Sequence, residues 1–128
     1  MGFTKFIEIG RVCQVARGKL ENKLVVVLDI VNLNRVLVEG EEVARCVIPV
    51  RHLVLTDQKV KILRGVKTGI LKKAIQKENV KATFDKSSRA VKQARQAKRA
   101  NLSDFQRFQA MVLKRKVATL LKNKLNKQ

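Results

Sequence analysis

Side chains capable of catalysis are few in this chain and do not cluster. Its 128 residues contain one histidine, His52, and two cysteines, Cys13 and Cys46. Two thiols are too few for a disulfide framework, and these two are too widely spaced for a zinc knuckle, so we interpret them as buried apolar residues in a reducing compartment. A single histidine with no acidic or cysteine partner nearby in sequence is typical of a structural or surface residue. We therefore expect no enzyme activity, no catalytic or metal site, no cofactor and no small-molecule substrate.

Cationic side chains are far more numerous, and between residues 86 and 100 they follow a helical period. On a helix with about 100° per residue, three alanines share one side and four basic residues lie on roughly the opposite arc. The alanines are Ala90, Ala94 and Ala97, and the basic residues are Lys92, Arg95, Lys98 and Arg99. An alanine face buries too little surface to hold a helix on a core, but it permits close approach to a neighbour while the basic face reaches phosphates. The alternative is a solvated charged helix.

The positive charge is unevenly distributed along the chain. Residues 1–57 contain eight Lys or Arg against seven Asp or Glu, a net charge of +1, whereas residues 58–128 contain twenty-one against three, a net charge of +18. Charges of this density repel one another in a self-contained core, so we expect a polyanion to neutralise them. Nucleic acid is the first candidate and an anionic membrane surface the second. No run of about eighteen apolar residues is present to span a bilayer.

Further basic residues extend the predicted nucleic-acid interface beyond this helix. We predict phosphate contacts, because the chain has no Trp or Tyr and only five Phe from which to build a base-stacking platform. The additional candidates are Arg17, Lys19 and Lys23 in a loop, Lys72 and Lys73 in an earlier helix, Arg89, and Lys114, Arg115 and Lys116 in the last helix. The interface should therefore recognise the backbone and shape of a nucleic acid rather than a base sequence.

A set of short apolar segments precedes the basic part and predicts about five strands in fewer than sixty residues. Asn32-Leu33-Asn34 separates two of them, and asparagine tolerates the left-handed conformation of a tight hairpin, so residues 25–31 should pair antiparallel with residues 35–38. Pro49 lacks a backbone N–H and predicts an edge strand or a bend. Residues 24–28 are all apolar, which indicates that the second face of this strand meets a partner or the chain's own extension. Closure into a barrel would remove exposed strand edges.

Three helices are predicted in the basic part, at about residues 69–79, 86–100 and 104–126. The last begins with the clearest start signal in the chain, Ser103-Asp104-Phe105-Gln106, which matches a capping box. Phe105, Phe108 and Val112 share one side of this helix. Aromatic residues at helical spacing are more often packing residues than base-stacking ones, so we predict that these three pack on protein.

Four segments together resemble a known family. They are residues 6–12 (FIEIGRV), 23–25 (KLV), 34–40 (NRVLVEG) and 104–108 (DFQRF). A glycine before the first strand and a basic loop after it resemble the KOW motif of nucleic-acid-binding SH3-like barrels, and the whole set is most similar to the eukaryotic large-subunit ribosomal protein fourteen family. Such motifs usually place a glycine just before the second strand, where this chain has Asn22. Asparagine can supply the positive φ at some cost.

The resemblance implies a mixed fold, with a small all-β SH3-like barrel of about five strands followed by a basic α-helical C-terminal extension. We assign residues 1–57 to the barrel, 58–67 to a basic linker and 68–128 to the extension. The implied function is a structural constituent of the large (60S) ribosomal subunit, with large-subunit rRNA and neighbouring ribosomal proteins as partners. The resemblance also implies cytoplasmic ribosomes, assembly in the nucleolus, no membrane partner and no homo-oligomer. The alternative is a KOW-type transcription or chromatin factor that binds duplex nucleic acid.

Overall fold

A computed structural model of the protein describes residues 5–126, in which one antiparallel sheet is followed by four helices. The sheet has the strand order β4-β3-β2-β1-β5, and every neighbouring pair is antiparallel. Its strands are β1 (Arg11–Val15), β2 (Leu24–Asn32), β3 (Arg35–Glu39), β4 (Cys46–Pro49) and β5 (Leu53–Lys59). A single 3-10 turn, Val50–His52, joins β4 to β5. This arrangement agrees with the predicted SH3-like barrel, and β4 lies at an edge as Pro49 requires.

Both faces of the central strands are buried. Successive side chains along β1 and β2 point to opposite faces of the sheet, so each strand contributes to two clusters. Cys13, Val15, Val25 and Val27 belong to the core cluster on one face, together with residues of β3 and β4. The intervening residues Val12, Val26 and Leu28 belong to a second cluster on the other face. The apolar run at residues 24–28 is therefore explained by burial on two sides.

Two helices of the same chain cover that second face. They are α1 (Thr68–Lys77) and α2 (Val80–Asp85). Leu71 and Ile75 of α1 and Val80 at the start of α2 pack with the strand residues, and Phe84 of α2 is also buried. The sequence left open whether a partner or the chain's own extension meets this face, and the structure shows that the extension does. The compact unit containing the sheet accordingly runs to Lys86.

The predicted helix at residues 69–79 differs in detail from the observed pair. Asn79 adopts the left-handed conformation with φ of 46°, so the helical path stops at Lys77 and restarts at Val80. Helix α2 was not expected from the sequence. Strand β5 also continues to Lys59, two residues into the segment assigned as a linker.

A second compact unit begins at Ser87 and contains two helices with no buried residue in either. They are α3 (Ser88–Ala100) and α4 (Asp104–Leu125), close to the predicted bounds. The Ser87 side chain accepts a hydrogen bond from the N–H of Ala90, and Ser103 and Gln106 form the predicted capping box. In the part of the chain that the structure describes, neither these nor the earlier helices are long and apolar enough to cross a bilayer.

Positive backbone φ angles occur where the KOW-like pattern needs them. Gly10 has φ of 84°, and a Cβ there would lie 2.1 Å from the carbonyl oxygen of Val60, so only glycine fits. Asn22 has φ of 66°, which confirms that asparagine supplies the conformation usually given to glycine.

The asparagine-rich hairpin between β2 and β3 forms, but not by the expected conformation. Neither Asn32 nor Asn34 has a positive φ, so the prediction of a left-handed asparagine there is wrong. Instead the side-chain oxygen of Asn32 accepts a hydrogen bond from the N–H of Asn34 at 3.0 Å. An asparagine side chain can close a turn in this way without a left-handed residue.

Candidate nucleic-acid interface

The basic loop between β1 and β2 is held at its base by two backbone hydrogen bonds. The N–H of Val15 donates to the carbonyl oxygen of Lys23 at 2.9 Å, and the N–H of Asn22 donates to that of Val15 at 2.8 Å. Arg17 and Lys19 are exposed at this loop and Lys23 is half-buried. The three predicted cations are thus carried by one ordered turn, and two of them are fully available to a partner.

Helix α1 separates its apolar and basic residues. Leu71 and Ile75 are buried against the sheet, whereas Lys72 and Lys73 are exposed. Ile70 is also exposed, although it is apolar. Burial of one side therefore fixes Lys72 and Lys73 on the solvent side of the helix.

Helix α3 carries the densest row of predicted contacts. Lys92, Arg95 and Arg99 line one shallow groove along the helix, and at 1.5 Å per residue they are about 4.5 and 6 Å apart along its axis. Arg89 and Lys98 flank this row and are exposed. The row is the feature of the molecule most suited to a polyanionic strand, because regularly spaced cations can each neutralise a phosphate.

Helix α4 presents both charge and apolar surface to solvent. Lys114, Arg115 and Lys116 are exposed, and so are Phe105 and Phe108, at 66% and 55% of their full accessible area. Val112 is half-buried. The packing of Phe105, Phe108 and Val112 on protein stays a prediction, and it requires a surface that this chain does not provide within the second unit.

Several cations of the sheet unit (residues 5–86) form ion pairs within the chain, which distinguishes them from the basic row on α3. Pairs at 2.7 to 2.9 Å join Arg64 to Asp29, Arg45 to Glu39 and Lys5 to Asp57, and Glu8 pairs with both Arg11 and Lys59. Across residues 5–126 the row Lys92, Arg95 and Arg99 has no carboxylate within ion-pair distance. Residues 87–126 contain eleven Lys or Arg and one acid, Asp104, so the second unit cannot neutralise itself.

Two exposed cations of the sheet unit were missed by the sequence analysis. Arg35 begins β3 and Arg51 lies in the 3-10 turn, yet both line one surface depression beside Leu33. The pairing of Arg35 with Pro49 brings them together. No local pattern signals this proximity, because it depends on the register of two strands.

The thiols are poor nucleophiles in this environment. Cys13 is fully buried, and burial raises the pKa of its thiol to about 12, while partial burial also raises the pKa of Cys46. Both therefore remain protonated at neutral pH. His52 is half-buried, and its carbonyl oxygen accepts a hydrogen bond from the N–H of Ala16 at 2.7 Å. A search of residues 5–126 finds no group of three or more His, Cys, Asp or Glu that could hold a metal ion.

Comparison with known proteins shows the family to which this chain belongs. The family model described as ribosomal protein L14 matches residues 44–118, more than half of the chain. The chain belongs to this ribosomal protein family. Among its relatives, the large ribosomal subunit protein eL14 of Tetrahymena thermophila is 43% identical over 119 residues, which cover 92% of this chain and 94% of the relative. The proteins of the same name from Griffithsia japonica and Pisum sativum are 40% and 39% identical, over 99% of this chain and at least 96% of theirs.

The matched segment shows which candidate contacts belong to the family's own region. It begins before β4 and runs into α4, so it contains α1, α2 and α3. The candidate cations of α1, α3 and α4 therefore fall inside the ribosomal protein L14 match, while the loop residues Arg17, Lys19 and Lys23 fall outside it. The basic helices are an intrinsic part of this family's domain and not an appended tail.

Proposed function

We propose that this protein is a structural constituent of the large ribosomal subunit, where it binds and stabilises rRNA and so supports translation. The observation that carries the proposal is membership of the ribosomal protein L14 family over nearly the whole chain. The unpaired basic row on α3 supplies the matching chemistry, since it needs an external polyanion. A transcription or chromatin role on duplex nucleic acid has no comparable support.

The proposed contacts are to phosphates, and they divide the chain by task. The unit that contains the sheet, which runs to Lys86, would seat the protein through its basic loop and the lysines of α1, and the helices α3 and α4 would follow the RNA backbone. The contact residues are Arg17, Lys19, Lys23, Lys72, Lys73, Arg89, Lys92, Arg95, Lys98, Arg99, Lys114, Arg115 and Lys116. Their exposure supports this role for all but Lys23, which is half-buried. Backbone readout follows because such side chains carry no base pattern.

Neighbouring ribosomal proteins are the proposed partners of the apolar side of α4. Phe105 and Phe108 expose more than half of their surface, and burial of such a side chain contributes roughly 1.5 to 3 kcal/mol. RNA offers phosphates and base edges to this helix, whereas a protein offers an apolar face. We infer that Phe105, Phe108 and Val112 pack on protein while Lys114, Arg115 and Lys116 reach RNA.

The proposed site of action is the cytoplasmic ribosome, with assembly in the nucleolus, and the protein is not proposed to form a homo-oligomer. The protein is proposed to have no enzyme activity, because raised thiol pKa values and an isolated histidine leave no activated nucleophile or base.

Sedimentation of cell extract at physiological salt tests this function. The protein should migrate with large ribosomal subunits, and ribonuclease should release it whereas deoxyribonuclease and detergent should not. Recovery in chromatin or in membranes would overturn the proposal. If assembly occurs in the nucleolus, a fluorescently tagged copy of the protein should give a nucleolar signal that changes when rRNA synthesis is inhibited.

A further inference from the structure

A cavity of about 240 Å³ opens between strands β1 and β2 and helices α1 and α2, inside the unit that contains the sheet. Its lining includes apolar residues from all four elements. They are Val12, Leu24, Val25, Val26, Ile75, Val80 and Phe84. None of these apolar residues is a proposed RNA contact, although Lys23, which also lines the cavity, is one.

The size of the cavity limits what can occupy it. Sites for whole small molecules commonly enclose about 300 to 1,000 Å³, and this one is smaller. An apolar cavity of roughly 150 Å³ already accommodates a benzene molecule. The space therefore suits one large apolar side chain presented from outside.

Carboxylates stand around the opening, in a chain whose net charge is +19. Glu41 and Asp85 are exposed there and have no ion-pair partner among residues 5–126, while Glu42 lies 3.5 Å from Lys81. Most other acids of this unit are engaged: Glu8, Asp29, Glu39 and Asp57 pair with cations, and Glu78 accepts a hydrogen bond from the N–H of Lys61. Lys23 and Lys81 also line the cavity. Lys81 faces Glu42, and Lys23 has no ion-pair partner among residues 5–126, so the unpaired groups are the carboxylates of Glu41 and Asp85 and one half-buried ammonium.

The charge at the opening selects the class of partner. A phosphate placed beside Glu41 and Asp85 would be repelled by both carboxylates, which disfavours RNA at this opening. A Lys or Arg at the same place would form the ion pairs that the chain itself does not supply. An apolar pocket with free carboxylates at its opening is thus complementary to an apolar side chain flanked by cations.

We propose that this cavity binds a cationic peptide segment of a neighbouring protein. One Leu, Ile, Met or Phe of that segment enters the space between β2 and α2, and its flanking Lys or Arg residues pair with Glu41 and Asp85. Apart from Lys23, this surface contains none of the proposed phosphate contacts, so the molecule would hold RNA with its cations and a basic protein segment with its few free acids.

Titration of the full-length protein with short peptides tests the proposal. The probes are Lys-Arg-X-Lys-Arg amides in which X is Leu, Ile, Met or Phe, and the control peptide has Gly at X. At physiological salt, the changes in backbone NMR chemical shift on titration should be confined to residues of the cavity wall. The Kd of the best probe should be at least about tenfold lower than that of the Gly peptide, because the probe buries one apolar side chain. Equal binding of the Gly peptide, shifts elsewhere, or no binding by any probe would overturn the proposal.

Charge reversal at the opening provides a second measurement. The double variant Glu41→Lys with Asp85→Lys should weaken binding of the best probe by at least about fivefold, since each exposed pair contributes only a modest amount. Glu21→Lys is the matched control, because Glu21 is an exposed acid without an ion-pair partner among the described residues and does not line the cavity. Its effect should stay below about twofold. Equal losses in both variants would show a general charge effect and overturn the proposal.

Sedimentation equilibrium of the free protein should show a monomer. A dimer that the double variant abolishes would mean that a second copy of this chain occupies the cavity, and it would overturn the proposal.

Discussion

The sheet unit and the helical unit both contain many apolar residues but differ in how many of them are buried. In residues 5–86, Leu28 and Leu71 are fully inaccessible to solvent, and apolar clusters cover both faces of the sheet. In residues 87–126 no helical residue is buried, although α4 carries two Phe, Met111 and several Leu and Val. Apolar composition therefore does not by itself make a core. Within residues 87–126 the helices have no core of their own.

Hydrogen exchange on the free full-length protein should show the largest difference between the units. Amides of β1 and β2 should exchange at least about 10³-fold more slowly than those of α3, because their opening requires unfolding of a packed core. A helix as short as α3, with 13 residues, is marginal in water without packing. Addition of rRNA should slow exchange in α3 and α4. Equal protection of both units without RNA would contradict the comparison.

Removal of one leucine from each unit should change the free energy of unfolding by different amounts. Leu71→Ala should lower the free energy of unfolding by about 2 to 5 kcal/mol, because α1 loses its contact with the sheet and a cavity remains. Leu113→Ala on α4 is the matched control and should change it by less than about 0.5 kcal/mol, since Leu113 is exposed. Urea unfolding followed by circular dichroism measures both. Similar losses would mean that α4 is packed in the free protein.

Removal of unpaired cations should separate the units by RNA affinity. The triple variant Lys92→Ala, Arg95→Ala and Arg99→Ala should raise the Kd for naked rRNA by roughly 10- to 100-fold and lower the salt slope by about 3. The control replaces Lys5, Lys59 and Arg64, which already pair with acids, by alanine. It removes the same charge and should cost less than about threefold in Kd. Equal losses in filter-binding titrations would show that only net charge matters.

The smallest expected effect concerns the ion pairs that only the sheet unit has. The Arg64 guanidinium donates to Asp29 at 2.7 Å and holds the pKa of that carboxyl below its ordinary value of 3.8. A depressed folded pKa means that the contribution of the pair to stability is present above pH of about 4 and is lost as pH falls through the folded pKa. Arg64→Ala should raise the pKa of Asp29 in a carbon-detected NMR titration, and an unchanged pKa would contradict the pair.

Patterns that depend on neighbours in sequence were predicted correctly. The capping box at Ser103, the antiparallel hairpin after β2 and the separation of alanine from basic residues on α3 all follow from local spacing, and the structure contains each of them. The positive φ of Asn22 was expected from its place in the motif. The hairpin turn was assigned the wrong conformation, because a side-chain hydrogen bond and a left-handed residue are alternative ways to close the same loop.

Contacts between distant residues were the part that sequence reasoning could not supply. The apolar run at residues 24–28 showed that a second face needed cover, but not that α1 and the unexpected α2 would cover it. Exposed Ile70 and buried Phe84 show the same limit, since each outcome depends on where the helix lies on the sheet.

The sequence by itself determined the charge division, the order of the strands and of the three longer helices, and the family, because these are properties of residue type and local period. Only the tertiary structure decided where the compact sheet unit ends, that Arg35 and Arg51 line one surface depression, and that Glu41 and Asp85 line an apolar cavity. The reason is physical. Register and packing bring together residues far apart in the chain, and burial then determines which charges find partners within the molecule and which are left for others.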